Sequence, residues 1–453
     1  MSITMSQTID RPSTTDDPRT GDRATHTPGG HRGTPRLLTG SDVGLADHLA
    51  THGALFIPAG NDMGWSTQIW EAVSASGIRG RGGAGFPSAL KWNAVRQGRR
   101  QPMVVVNAME GEPASRKDRT LLAHAPHLML DGAEVAAAVV GACEVVVCVA
   151  HDNPVAAASV ERAVIERESS GLARFRISVL RPPGRYVSGE ESALVAWLDH
   201  QRALPQLRLD KSVPLQVSRR PVVLHNAETL AQIALIARHG PEWFRRQGTP
   251  EAPGSTLVTV GGAVRSPGVF EVELGTPVID ILHGAGLDAE LSGLLLGGYG
   301  GAWLHPSKVA TPFSPGPLTE AGATLGVGII IALPVGVCGL AETARIARYM
   351  AGESAGQCGP CVYGLPDLAT DLERLSAGRA DGQILDRIRN RAAAIEGRGA
   401  CRHPDGVVRL VRSALAVFVD DAKAHANRRP CPGHAGHSLM TFPDTTEAAS
   451  WAS

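Results

Sequence analysis

Three cysteines, a run of glycines and four glutamates carry the residue types in this 453-residue chain that could do chemistry. Cys358 and Cys361 stand three apart in "ESAGQCGPCVYG" (353–364), and Cys401 follows in "GRGACRHPDG". Soft thiolates at such spacing can hold an iron–sulfur cluster. A Cys-Gly-Pro-Cys pair at a helix start can instead exchange with a disulfide, because a helix N-terminus lowers a thiol pKa. A third possibility is a pair of idle thiols. Cys143, Cys148 and Cys338 fall in apolar runs and read as core thiols. Cys431, His434 and His437 in "CPGHAGH" are metal-ligand types, but in a terminal loop they read as solvent-exposed and are assigned no metal.

The glycines lie in "GIRGRGGAGFPSALKW" (77–92), which places five glycines, two arginines and a lysine within sixteen residues. Backbone amides freed by glycine can converge on an anion, and a helix starting near Pro87 adds a positive dipole end. Arg79, Arg81 and Lys91 could supply charge to a phosphate, although a flexible surface loop explains the composition as well. "NAMEGEPASRKDR" (107–119) then sets Glu110 and Glu112 directly after a strand. "GRYVSGEESALVAWL" (184–198) sets Glu190 and Glu191 at a helix start, and "HNAETLAQI" (225–233) follows another apolar run. Acids at helix starts are often caps, which suits Glu190 better than it suits Glu110 or Glu112.

Positioning these groups requires a framework, and the hydrophobic pattern supplies one. Strands at 102–110, 143–150 and near "RFRISVLRP" alternate with helices at 130–142 and 154–171. That alternation implies a parallel sheet covered by helices, with ligands at the carboxyl ends of the strands. Residues 255–286 read as strand, turn, strand, helix, and "GLLLGGYGGAWL" as a hairpin, a small mixed domain of the ubiquitin-like kind. Beyond about 338 the chain turns helical, near 340–351, 361–376 and 380–396. Val407, Leu410, Val411, Ala414, Leu415 and Phe418 then form the apolar stripe of a last helix, completing a four-helix bundle.

Equal numbers of basic and acidic residues, 44 each, argue against a general nucleic-acid binder. The chain shows no uninterrupted apolar run long enough to span a bilayer and no signal pattern, and seven cysteines do not suit a disulfide scaffold. A cytoplasmic protein is expected, peripheral at most to a membrane complex.

The motifs "RGRGGAGFP..LKW", "NA.EGEP...KDR", "GEE.AL" and "N.ETLA", in this order, resemble the NADH-binding flavoprotein subunit of respiratory complex I. The diaphorase subunits of NAD-linked hydrogenases and formate dehydrogenases share them, and the resemblance runs from about 45 to 425. It implies a multidomain fold of α/β, α+β and α parts. These are a Rossmann-like FMN-binding α/β domain (45–245), a β-grasp, soluble-ligand-binding domain (246–330) and a C-terminal four-helix iron–sulfur domain (331–428), between disordered tails at 1–44 and 429–453. It further implies FMN contacts from Gly80, Arg81, Gly82, Gly83, Lys91, Asn107, Glu110, Tyr186, Gly189, Glu190, Asn226 and Thr229. Phe86, Glu112 and Glu191 match positions that contact the nicotinamide nucleotide, the two glutamates being the candidate catalytic groups. The expected activity is that of an NADH dehydrogenase-type oxidoreductase, from NAD(H) to FMN and then singly to a cluster and an iron–sulfur or ferredoxin-like partner protein.

Three departures from the family pattern qualify the expectation. Met109 replaces an acid, and Ala94 and Val213 fall where aromatics that bracket adenine are expected; each lost stack weakens binding by about 0.5–1.5 kcal/mol. Ala355 replaces the first of four cluster cysteines, leaving Cys358, Cys361 and Cys401. Either a [4Fe–4S] cluster keeps a substitute fourth ligand (a non-cysteine one such as His403, solvent or a partner's side chain, or else the distant Cys431), or a [3Fe–4S] cluster forms, or the site is a bare dithiol. The competing reading is a degenerate paralogue acting as a flavin- or ligand-binding scaffold, or a flavoprotein whose donor is a reduced ferredoxin-like carrier.

Overall fold

The computed structural model describes residues 35–39, 43–96, 98, 100–208 and 213–443. Its first sheet contains β1 (Met103–Ala108), β2 (Glu144–Val149), β3 (Arg176–Leu180), β4 (Gln216–Val217) and β5 (Arg220–Asn226), in the order β3-β2-β1-β5-β4. All pairings are parallel except that of the short β4 with β5. A parallel sheet must be covered on both faces, and β1 shows how its near-continuous valine run meets that demand. Val104 and Val106 join one apolar cluster with Leu130, Ala133 and Leu230, from the helices Pro126–Val140 and Ala227–Arg245. Met103 and Val105 join another with Leu194 and Val195, from the helix Glu191–His200.

From β1 the chain proceeds to β2 on one side, while β5 lies on the other. The carboxyl ends of β1 and β5 therefore border a topological switch point, where the first turns of the following helices splay apart and leave a crevice. Asn107 and Asn226 are register partners at that edge.

The second sheet is mixed, with β6 (Ser255–Gly262), β7 (Gly268–Glu273), β8 (Leu291–Leu296), β9 (Ala302–Leu304) and β10 (Ile329–Pro334) ordered β7-β6-β10-β8-β9. β10 runs parallel to β6, and the other pairs are antiparallel. The helix Val278–Gly284 covers one face, setting Val278, Ile281 and Leu282 against Val258, Val260 and Phe270.

Four helices follow, Gly339–Gly352, Leu365–Ser376, Ile384–Ile395 and His403–Val417. The stripe read from the sequence is buried at Val407, Leu410, Val411, Ala414 and Phe418 and half-buried at Leu415. Phe418 leaves helical geometry (φ −103°, ψ 40°) as its ring meets Trp303 edge-on, and a fifth helix, Val419–Ala426, begins after it. A single turn of π-helix, Pro360–Gly364, carries Cys361 into the second helix.

Both expected tails are shorter than the sequence suggests. Leu37 is fully buried, and the backbone N–H groups of Arg36, Leu37 and Leu38 all donate to Glu271 on β7. At the other end Met440 is buried, the Tyr299 hydroxyl donates to the Thr441 carbonyl, and the Phe442 ring packs on Tyr299 and Tyr349. Both segments supply apolar anchors that composition does not single out. The outer parts of the expected tails, 1–34 and 444–453, lie outside the described residues. No helix among the described residues is long and apolar enough to cross a membrane.

Candidate functional site

A cavity of about 410 Å³ opens at the switch point and is lined from all three parts of the chain. The first sheet and its loops contribute Gly82, Gly83, Asn107, Glu110, Glu112, Lys117, Tyr186, Gly189, Glu190 and Asn226. Gly297, Thr324 and Gly326 come from loops of the second sheet, and Cys401, His403 and Arg409 from the helical part. This size suits a bound cofactor.

Glu112 is a buried acid in the wall. Its side chain sits in a residue only 7 % exposed, and Oε2 accepts the Tyr299 N–H at 2.9 Å and the Tyr186 hydroxyl at 3.2 Å. Oε1 is buried without a partner. Burial, outweighing the hydrogen bonds from Tyr299, the Ala114 backbone and Tyr186, lifts the carboxyl to about 7. The turn "GGYGG" between β8 and β9 closes over it; a Cβ on Gly298 would stand 2.5 Å from Oε2, and this residue has φ +99°. Only glycine permits that approach.

A second polar cluster lies at the helix starts. The ammonium of Lys117 is bonded to Asp118 Oδ1 (2.7 Å) and Asn226 Oδ1 (3.0 Å) and paired with Glu228 Oε2 (3.1 Å). Burial would discharge it, but Asp118 and Glu228 prevail and hold it charged. Asp118 is itself raised by burial, to about 6, against the pull of Lys117. Glu110 has φ +44°, a conformation uncommon outside glycine, and its carboxylate caps the helix Lys117–His124 through the N–H groups of Asp118 (2.8 Å) and Arg119 (3.0 Å). Glu190 is likewise an N-cap, accepting from Ser192 and Ala193. Glu110 therefore shapes the wall with both oxygens engaged, and Glu190 with Oε2 engaged.

Other expected contacts stand behind or beside the wall. Arg81 turns inward toward Glu228 (3.9 Å), while its backbone N–H donates to Thr229 Oγ1 at 2.9 Å; together these brace the glycine loop. The Gly80 N–H bonds to the Phe86 carbonyl. Lys91 pairs with Glu191 and donates to the Leu224 carbonyl, and neither lines the cavity. Arg79 bonds within the loop, to Gly85. Phe86 (48 % exposed) and Val213 (51 %) are surface residues, as is Ala94. Met109 points into the apolar cluster below the sheet, where an acid would be buried.

Sequence reasoning passed over Lys117 as a site residue although it read the "KDR" motif; a lysine following an acid-rich strand end was the available signal. The walls from Gly297, Gly326 and Arg409 left no local signal.

Cys361 is buried and Cys358 and Cys401 are half-buried. Burial first, then the neighbouring Cys358 and Cys401, push the Cys361 thiol up to about 12, and the Ser354 hydroxyl donates to it. Cys358 precedes and Cys361 lies within the turn into the second bundle helix, Cys401 precedes the fourth, and Cys401 also lines the cavity. Of the proposed replacements for the ligand missing at Ala355, Cys431 is engaged elsewhere, with Cys338 and His425. His403 uses Nε2 on the Met350 carbonyl at 2.8 Å, and its Nδ1 is buried without a partner. Two readings of the remaining thiols change. Cys143 is exposed, beside Arg220, because it precedes β2 rather than entering it. Cys338 is buried, but beside other ligand-type groups.

The residues fit a flavin mononucleotide. The cavity offers loop amides at Gly82 and Gly83, a buried ammonium, amide side chains at two strand ends and an orphaned carboxyl oxygen at Glu112. They also fit an iron–sulfur group on three thiols.

Comparison with known proteins agrees with this geometry. The Nuo51 FMN-binding domain matches residues 73–235, the SLBB domain 257–286, and the NADH-ubiquinone oxidoreductase-F iron-sulfur binding region 341–425. An F-type NADH-quinone oxidoreductase subunit of Rhizobium meliloti is 30% identical over 381 residues, 81% of this chain and 90% of that protein. The mitochondrial NADH dehydrogenase [ubiquinone] flavoprotein 1 of Dictyostelium discoideum is 30% identical over 370 residues, 77% of each. Among solved structures, an air-oxidized NAD+-reducing [NiFe]-hydrogenase superposes with a TM-score of 0.76 at 29% identity, over 92% of this chain and 69% of that one. Its H2-reduced form gives 0.73 at 29%, and there the match covers 83% of this chain and 64% of the hydrogenase chain.

Proposed function

The chain belongs to the family of F-type NADH-quinone oxidoreductase subunits, and from that premise we propose that it is the electron-entry component of a larger oxidoreductase assembly. It passes electrons from NADH through FMN to an iron–sulfur cluster. The observation that carries this reading is the single cavity shared by the glycine loop, Glu112 and Cys401.

Gly82, Gly83, Lys117, Asn107 and Asn226 would hold the flavin. Bound there, it would accept two electrons from the nicotinamide and release them one at a time. Glu112 can hold or give up a proton at Oε1 near neutral pH. The turn around Gly298 and Tyr299 covers that carboxyl and keeps water from it. Cys358, Cys361 and Cys401 would hold the cluster as three thiolates, with no cysteine at Ala355. The adjacency of Cys401 to the cavity favours one-electron exit through this cluster to an iron–sulfur partner protein.

One observation favours a second donor. Ala94 and Val213 are exposed and offer no aromatic face to adenine, which favours a reduced ferredoxin-like protein over free NADH. Anaerobic purification, with flavin, iron and acid-labile sulfide counted per chain, tests the cofactors. Titration with NADH then tests the donor. Bleaching of the flavin by NADH supports the nicotinamide route, whereas bleaching by dithionite alone would transfer the role to a protein donor. Colourless, iron-free protein would sink the redox reading altogether.

A further inference from the structure

Cys338, His425 and Cys431 bring their ligand atoms to within 4.8 Å of one another, the one such His/Cys/Asp/Glu group of three or more among the described residues. The three come from separate elements. Cys338 is the N-cap of the helix Gly339–Gly352, His425 lies in the helix Val419–Ala426, and Cys431 lies in the loop beyond. Neither Cys338 (1 % exposed) nor His425 (0 %) is available to solvent chemistry.

The imidazole is oriented as a ligand. Its Nδ1 faces only carbonyl oxygens, Ser376 at 3.0 Å and Leu375 at 3.3 Å, and a carbonyl cannot donate. Nδ1 therefore carries the proton, and the Nε2 lone pair accepts the Cys431 N–H, a bond that a metal on Nε2 would replace. Nε2 lies 4.0 Å from Cys338 Sγ and accepts the Cys431 N–H at 2.9 Å, which confirms the tautomer. A backbone carbonyl fixing the remote nitrogen is the usual support of a metal-binding histidine.

The loop is also seated for the purpose. A Cβ on Gly433 would collide with the Gly336 carbonyl oxygen and stand 3.0 Å from the Cys338 nitrogen. Glycine lets the turn Pro432–Ala435 lie directly on the start of the helical part. His434, whose ring stands edge-on to His425 with centroids 6.4 Å apart, lies outside the group of three and keeps Nδ1 on the Cys431 carbonyl.

We propose that Cys338, His425 and Cys431 bind a structural zinc ion, separate from the Cys358, Cys361 and Cys401 site. Two thiolates and one imidazole are a zinc donor set, completed by water. The ion staples the last helix and the C-terminal segment onto the junction between β10 and the helical part. From there the segment runs back over the site, where Ser438 donates to Glu342 (2.7 Å) and Thr441 accepts from Tyr299, the residue whose N–H holds Glu112.

The test counts metals in the full chain, purified anaerobically with a thiol-free reductant and desalted. About one zinc per chain is expected in the wild type, reduced by about tenfold or more in Cys431→Ser and in His425→Gln and unchanged in Cys401→Ser. Cobalt added to the chelator-stripped wild type should give thiolate-to-cobalt absorption, a readout that needs no variant to fold. Zinc lost in Cys401→Ser but kept in Cys431→Ser would move the ion to the other site and overturn the proposal. Absence of both zinc and the cobalt band would also overturn it. So would a Cys338–Cys431 disulfide in the anaerobically isolated protein, lighter by two hydrogens, which would make the pair a redox couple.

Discussion

Burial lifts the Glu112 carboxyl to about 7 from an ordinary 4.5, so the folded chain keeps a proton that the unfolded chain has released. Between those two values the folded state binds more protons than the unfolded state. This residue's contribution to stability therefore falls as pH rises through that window, by an amount on the order of 3 kcal/mol. Glu112→Gln should flatten the pH dependence of the urea midpoint between pH 5 and 7, and an unchanged slope would place the proton elsewhere. Lys117 presents the opposite case. Its charge is fixed by Asp118 and Glu228, and Lys117→Met leaves Asp118 without its cation and Glu228 with Arg81 alone, in a buried site. A loss of about 3–5 kcal/mol in equilibrium unfolding is expected, together with loss of flavin on desalting. At this scale the sequence was a good guide to residue type and a poor one to role. Glu190 caps a helix, as its place at a helix start suggests, but Glu110 does so too, and that depends on backbone direction rather than composition.

Elements place these groups through their ends. β1 and β5 deliver Asn107 and Asn226 to one edge because they pair in register; their apolar runs are plain in the sequence, but the pairing is not. The turn after β8 was legible as a glycine-interrupted hairpin, but nothing local shows that it closes on Glu112. Gly298→Ala introduces both a contact with that carboxyl and a strained φ, at a cost of about 1–3 kcal/mol. The measurable outcome is lower flavin content at near-unchanged helical circular dichroism; full flavin retention would mean that the turn does not shape the cavity. The loop between the first two bundle helices is the other informative element. Ala355→Cys restores a fourth thiol there, and its electron spin resonance signal should shift from a three-iron toward a four-iron type. An unchanged spectrum would exclude Ala355 as the vacant corner of a cluster.

The parts of the molecule share apolar clusters and a common cavity, and one polar contact links the flavin side to the cluster side. Arg185 pairs with Glu353 at 3.3 Å, and the Tyr186 N–H donates to the same carboxylate at 2.9 Å. Glu353 lies two residues before Ala355, at the start of the cluster loop. Glu353→Ala should leave NADH-driven flavin bleaching nearly unchanged and slow the later reduction of the cluster in stopped-flow absorbance. Equal slowing of both phases would indicate a general loosening instead. The order of strands and helices and the expectation of a ligand at the strand ends are legible in the sequence alone, because hydrophobic period and motif spacing are local properties. The inward turn of Arg81, the closure of the glycine turn on Glu112, the docking of both chain ends and the meeting of Cys338 with His425 and Cys431 were decided only by the tertiary structure. Each depends on packing between segments far apart in the chain, and the residue types at those positions are compatible with several partners until the fold selects one.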